Sequence, residues 1–96
     1  MVLHTINASP ASPAFRDCLL VLAQADAVIL MGDGVYAARQ GTSYLAQLLE
    51  RTPRLYVLQD DATAAGVLDT LGDVEIIAME GFVELSENYS RQLAWY

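Results

Sequence analysis

The most continuous apolar segment of the chain is Ala27–Met31, and Gly32-Asp33-Gly34 follows it directly. Such an uninterrupted apolar run is typical of a strand covered on both faces, as in parallel sheets flanked by helices. The turn after it lies at the carboxyl end of that strand, where open α/β folds place their functional groups. We therefore expect any chemistry of this chain near Asp33 and Gly34.

Four further short segments have the composition of strands. Each is rich in β-branched or other apolar residues and is bounded by turn-forming residues. They are Val2–Ile6, Leu55–Leu58, Val74–Met79 and the terminal Gln92–Tyr96. The last segment ends in two aromatic residues that a free terminus seldom exposes, so we expect it to pair as a fifth strand or to pack against a neighbour.

Helical patterns separate these strands. The first predicted helix runs from Pro13 to Gln24 behind an N-cap at Ser12. Its apolar positions recur at i, i+3, i+4 and i+7 and form one stripe toward the sheet, consisting of Phe15, Cys18, Leu19 and Leu22. Further helices are predicted over Val35–Gln40, from Ser43 to Thr52, from Asp60 to Gly66 and from Gly81 to Asn88.

Strands that alternate with helices predict an α/β fold with three layers, α/β/α, around a single and mostly parallel sheet of four or five strands. Residues 1–96 are predicted to form one domain. The chain is 54% hydrophobic, which is more than so small a body easily buries, so we expect burial at subunit interfaces. It has neither a basic apolar leader nor a run of roughly 18 apolar residues, so we expect a cytoplasmic protein without membrane contact.

The charge of the chain narrows its possible partners. Twelve acidic residues stand against five arginines, with no lysine, for a formal net charge of −7. This field repels phosphates, so direct binding of nucleic acid is not expected. A solubility surface is the simplest interpretation of the acidic excess, and a docking face for a basic partner is the second. The single cysteine excludes an internal disulfide and a zinc site of several thiolates, and we expect neither a metal nor a cofactor.

The segment Gly32–Ala37 matches the dinucleotide pattern G-x-G-x-x-A. Asp33, however, places a carboxylate where a pyrophosphate would lie, and the chain is too short for both halves of such a fold. A tight turn that needs small residues is favoured, with small-ligand binding kept as an alternative. Asp33, Asp60 and Asp61 also suggest an acidic metal pocket like that of phosphoryl-accepting domains, but such a pocket needs a lysine and the chain has none. A solvated turn aspartate and two carboxylates at a helix start are the favoured interpretation.

Two further side chains are candidates for chemistry. His4 lies in the first strand without a partner that the sequence identifies, which favours a core or interface histidine over a catalytic base. Cys18 falls in the second turn of the first helix, beyond the strongest field of the helix N-terminus. Arg16 lies on another face of that helix, and Asp17 would raise the thiol pKa. The residues alone therefore favour a packed thiol, and any activation would need Arg39 or Arg54 to approach through the tertiary structure.

Several stretches in order resemble the TusB/DsrH family, and together they extend over nearly the whole chain: Leu3–Pro10, Asp33–Ala38, Tyr56–Leu58, Gly81–Val83 and Gln92–Trp95. The resemblance implies a small α/β subunit with a five-stranded parallel sheet, assembled with TusC-like and TusD-like sisters into a heterohexamer. It further implies a relay of persulfide sulfur from a TusA-like donor to a TusE-like acceptor, for 2-thiolation of the tRNA wobble uridine. In the Dsr branch of the family the same assembly handles sulfur during sulfur oxidation.

The resemblance also bears on individual residues. In this family the main sulfur-carrying cysteine belongs to the TusD-like sister, so this chain is expected to be a structural or accessory subunit rather than the enzyme itself. Cys18 coincides with a cysteine that DsrH-type members carry in the first helix, which makes it a candidate catalytic persulfide carrier beside the packed-thiol alternative. Ala65 stands where many relatives carry an arginine, just before the glycine that ends the third helix. We therefore do not expect this chain to make the contacts of that arginine.

Overall fold

One sheet of five parallel strands runs through the molecule, which a computed structural model describes over all residues, 1–96. The strands are β1 (Val2–Ile6), β2 (Ala27–Leu30), β3 (Leu55–Leu58), β4 (Glu75–Ile77) and β5 (Arg91–Trp95), in the spatial order β4-β3-β2-β1-β5. The central strand is β2, and all four of its residues are buried. The predicted α/β fold is confirmed, and the terminal segment is the fifth strand.

Four α-helices connect the strands: α1 (Pro13–Val21), α2 (Ser43–Arg51), α3 (Gln59–Ala64) and α4 (Met79–Glu87). Two 3-10 helices, Gly32–Ala38 and Leu68–Thr70, complete the secondary structure. The side chain of Ser12 caps α1 by accepting the Phe15 N–H, as the sequence predicts. None of these helices has the length and apolar character needed to span a membrane.

The two faces of the sheet are covered unequally. Right-handed crossovers from β1 through β4 place α1, α2 and α3 on one face, here called the helix-rich face. The chain then returns from β4 to β5 in the opposite direction, which places α4 alone on the other face, here called the α4 face. The helix-rich face holds sixteen buried residues, whereas the α4 face holds three, Leu3, Ala27 and Ile29.

Helix boundaries differ from the predictions, most of all in the first two helical regions. Helix α1 ends at Val21 rather than Gln24, because the next residue is extended and the carboxylate of Asp26 accepts the Ala23 N–H. The helix predicted over Val35–Gln40 is a 3-10 helix that begins earlier, at Gly32, and ends at Ala38.

The fourth strand is also shorter than predicted. The sequence favours a strand from Val74 to Met79, but β4 ends at Ile77. Ala78 is the N-cap of α4, and Met79 is its first residue. The apolar run therefore spans the end of a strand and the start of a helix. No polar residue separates the two elements, so the hydrophobic pattern does not reveal where one ends and the other begins.

Candidate functional site

The carboxyl end of the sheet, where the sequence predicts chemistry, is built around two glycines. Gly32 has a φ of +50°, a left-handed conformation that favours glycine. Gly34 is buried, and a Cβ at this position would collide with the carbonyl oxygen of Ile6 at the end of β1. The turn therefore needs small residues because its backbone crosses closely over the neighbouring strand.

A small cleft lies beside this turn, with a volume of about 270 Å³. Its lining residues are Gly32, Asp33, Tyr36, Asp61, Ala64 and Ala65. The carboxylate of Asp61 accepts the Gly32 N–H at 2.7 Å, so a carboxylate of the chain itself occupies the amide to which a phosphate would bind. With Asp33 also in the lining, the cleft is acidic, and the dinucleotide interpretation has no support from this geometry.

The three aspartates of the suggested metal pocket are not assembled into one. Asp33 and Asp61 share the cleft, whereas Asp60 does not line it. No group of three or more histidine, cysteine, aspartate or glutamate side chains in the chain is placed to hold a metal ion. The first-turn position of Asp60 and Asp61 in α3 matches the interpretation as helix-start carboxylates.

The most connected polar side chains lie instead toward the amino end of the sheet. His4, in β1, is 1% exposed, and Asp26, just before β2, is 5% exposed. Their side chains form a hydrogen bond of 3.0 Å between Nε2 and Oδ2, and no arginine of the chain lies within salt-bridge distance of a carboxylate. The indole N–H of Trp95, from β5, donates to His4 Nδ1 at 3.1 Å. We call these three side chains the His4 network.

The hydrogen bonds of this network determine the tautomer of His4. An indole nitrogen is only a donor, so His4 Nδ1 must be the acceptor and carry no proton. The remaining proton of the neutral ring is then on Nε2, which donates to Asp26. Because both ring nitrogens are engaged with side chains of the chain itself, His4 has no free nitrogen with which to act as a base, and it is a buried, satisfied histidine.

Asp26 is the centre of the network. Burial alone would raise the pKa of its carboxyl, but hydrogen bonds from the Ala23 N–H, from His4 and from the Val2 N–H together hold this pKa below its usual range. Its backbone carbonyl also accepts the Thr52 hydroxyl at 2.6 Å. The aspartate thereby ties the start of β1, the end of α1 and the end of α2 to the amino end of β2.

Cys18, the candidate persulfide carrier, has no exposed surface. Burial, and to a smaller extent the negative charge of Asp26, raises the pKa of its thiol to about 12. The charge that acts on the thiol is thus negative, whereas activation would need one of the arginines named above. In this conformation the thiol is protonated at neutral pH and closed to other molecules.

The sequence singled out His4 but missed Asp26 and Trp95 as its partners. Asp26 stands directly before the buried strand β2, and a lone acid in that position is the one signal that could have identified it. Trp95 is ninety-one positions from His4 and reaches it only because β5 pairs with β1.

Comparisons with known proteins match nearly the whole chain. The family model described as "DsrH like protein" matches residues 8–92. "Protein TusB" of Pectobacterium atrosepticum is 36% identical over 95 residues, which is 98% of this chain and 100% of that protein. "Protein TusB" of Photorhabdus laumondii is 34% identical over the same shares of the two chains.

Two solved structures share the fold. Protein Tm0979 from Thermotoga maritima has a TM-score of 0.69 at 22% identity, covering 92% of this chain and 93% of that one. A protein of unknown function from Methanobacterium thermoautotrophicum, MTH1491, has a TM-score of 0.60 at 16% identity, covering 97% and 96%. At these identities the likeness concerns the fold.

Proposed function

This chain belongs to the TusB/DsrH family, and from that membership we propose that it is a subunit of a sulfur-relay complex. The observation that carries the proposal is the match to proteins named TusB over essentially their entire length. In the finer form of the proposal, the chain assembles with TusC-like and TusD-like sisters in the cytoplasm. The complex passes persulfide sulfur from a TusA-like donor to a TusE-like acceptor, for 2-thiolation of the tRNA wobble uridine.

The geometry supports an accessory role for this subunit within that complex. Sulfur carriage requires a thiolate that another protein can reach. Cys18 is the only cysteine, it is fully buried, and its pKa of about 12 leaves it protonated at neutral pH. His4, the only histidine, is occupied by Asp26 and Trp95. We therefore propose that the sulfur is carried by a sister subunit and that this chain supports the assembly.

A persulfide on Cys18 stays a prediction for the assembled complex. It would require α1 to move so that the thiol reaches solvent and leaves the neighbourhood of Asp26. Cys18→Ser separates the two roles, because a buried hydroxyl without a partner costs about 1 to 3 kcal/mol of stability, whereas a lost carrier abolishes transfer.

The experiment is co-expression of this chain with TusC-like and TusD-like proteins, followed by labelled-sulfur transfer from a TusA-like donor to a TusE-like acceptor. We expect a stable complex in which the Cys18→Ser subunit transfers sulfur at the wild-type rate. The matched control replaces the cysteine of the TusD-like sister, which should stop transfer. Absence of any complex with the sisters would contradict the proposed function, and loss of transfer by a stable Cys18→Ser complex would make Cys18 a carrier.

A further inference from the structure

The α4 face of the sheet is incompletely covered. Its three fully buried residues contrast with sixteen on the helix-rich face. The side chains that pack on them, including Tyr56, Phe82 and Leu85, are only partly buried. Helix α4, which supplies the cover, has no buried residue at all. One helix of nine residues therefore leaves much of this sheet face open to a further layer.

Large apolar side chains extend from α4 into solvent. Met79 is 46% exposed, and Val83, one turn later on the same side of the helix, is 51% exposed. On β5, Gln92 and Ala94 lie on the α4 face of the sheet, as their pairing with Leu3 and Thr5 shows, and both are exposed. This surface has the exposed apolar character of a protein interface.

The negative charge of the chain lies in its carboxyl-terminal part, which includes β4, α4 and β5. Residues 1–54 contain four acids and four arginines, and so have no net charge. Residues 55–96 contain eight acids and one arginine, so that the entire formal charge of −7 belongs to this part. Helix α4 itself carries three glutamates, Glu80, Glu84 and Glu87, and no basic residue.

A cleft of about 220 Å³ lies between α4 and the strands β3 and β4. Ile77 and Leu85 contribute apolar walls, and Glu75, Glu84 and Asn88 contribute polar groups. No arginine lies within salt-bridge distance of either glutamate, so neither carboxylate has a cationic partner. Burial and then the charge of Glu75 raise the pKa of Tyr56, which also lines the cleft.

We propose that the α4 face is the docking surface for a protein partner that presents a basic and apolar surface, with an arginine or lysine side chain entering the cleft at Glu75 and Glu84. A second copy of this chain is excluded as the occupant, because two such acidic faces repel each other. A basic partner neutralises the unpaired glutamates while covering Met79 and Val83. The inference rests on the proposed function, since the partner is then a component of the sulfur-relay complex.

The test uses the wild-type complex and two pairs of matched variants. Glu75→Gln with Glu84→Gln removes the cleft charges, and Glu50→Gln on α2 is the control on the other face. Val83→Asp places a charge on the docking surface, and Val21→Asp on α1, where the valine is 54% exposed, is its control. Association with each TusC-like, TusD-like, TusA-like and TusE-like protein is measured by titration at low and high salt.

We expect the glutamine pair to weaken association with one of these proteins at least ten-fold and to reduce its salt dependence. Val83→Asp should weaken the same association, while the Glu50 and Val21 variants leave it unchanged. If the wild type binds and neither set of substitutions on the α4 face changes the binding, the proposed docking surface is wrong and the proposed function is unaffected. If the wild type binds none of the four proteins, the proposed function fails with it. A dimer of the isolated chain that Val83→Asp disrupts would show a second copy on this face and overturn the proposal.

Discussion

The two ends of the sheet use polar groups in opposite ways. At the carboxyl end, the carboxylates of Asp33 and Asp61 line an open cleft, and the turn is held by close backbone packing at Gly34. At the amino end, Asp26 and His4 are buried, and every polar atom of their side chains has a partner. The end where α/β folds usually hold their chemistry therefore carries solvated charge here, and the opposite end carries a buried polar network.

This difference shows why the hydrogen-bond partners of a polar side chain must be known before it is assigned a role. A buried carboxylate with several donors stabilises the fold as long as all of its partners are present, and removing one partner leaves an uncompensated group. When a solvated carboxylate is removed, water takes over its hydrogen bonds, so the free energy of unfolding changes little. The aspartates at the two ends should therefore respond very differently to the same substitution.

The largest expected effect comes from removing one aspartate at each end of the sheet. Asp26→Ala leaves the Val2 and Ala23 N–H groups and His4 without their acceptor, so we expect a loss of about 3 to 5 kcal/mol in the free energy of unfolding. Asp61→Ala releases only the Gly32 N–H, in an exposed setting, and should cost about 1 kcal/mol or less. Urea denaturation of both variants measures the difference, and equal losses would contradict the contrast between the two ends.

A second test concerns the close packing at the carboxyl end. Gly34→Ala drives a Cβ into the backbone of Ile6, so the turn and the end of β1 must separate, at an expected cost of about 2 to 3 kcal/mol. Gly81→Ala in α4 is the control, because a Cβ there would lie 3.2 Å from the side chain of Ile77 and alanine is favoured in a helix. Thermal unfolding of the two variants should separate them clearly, and a neutral Gly34→Ala would show that the turn is loose.

The link from β5 to the His4 network gives a smaller effect. Trp95→Phe keeps an aromatic ring beside His4 but removes the indole N–H, leaving Nδ1 without a donor, and should cost about 1 kcal/mol. Tyr96→Phe, at a side chain 83% exposed, should change nothing measurable. In the nitrogen NMR spectrum the Nδ1 resonance of His4 should shift in the Trp95 variant alone, and an unchanged resonance would mean that the hydrogen bond contributes nothing.

The smallest effect is the pH dependence of the amino end. The pKa of Asp26 lies below its ordinary value of 3.8, so its stabilising contribution is complete above that value and is lost as the pH falls through the lowered pKa. The stability gap between the wild type and Asp26→Asn should therefore stay constant above about pH 5 and narrow below about pH 4. Denaturation series across this range measure the gap. A gap that widens as the pH falls would contradict the stabilising role of the Asp26 carboxylate in the His4 network.

Much of the fold could be predicted from the sequence because the patterns are local. The run Ala27–Met31 predicts a buried central strand, and β2 is the middle strand of the sheet with all its residues covered. Ser12 before Pro13 predicts a helix start, which the structure confirms. Boundaries were missed where a polar side chain outside the periodic pattern intervenes: α1 ends early, and the carboxylate of Asp26, three positions further on, accepts the Ala23 N–H.

The alternation of strands and helices, the family and the presence of a single cysteine and a single histidine could all be read from the amino-acid sequence, since they depend on residues close along the chain or on their number. What those two side chains can do depends on contacts between distant parts of the chain. His4 meets Asp26 and Trp95 because parallel pairing brings β2 and β5 to the two sides of β1. Cys18 is closed to solvent because α1 lies flat on that same sheet. Contacts between distant parts of the chain follow from strand order, and periodicity along the sequence does not contain that order.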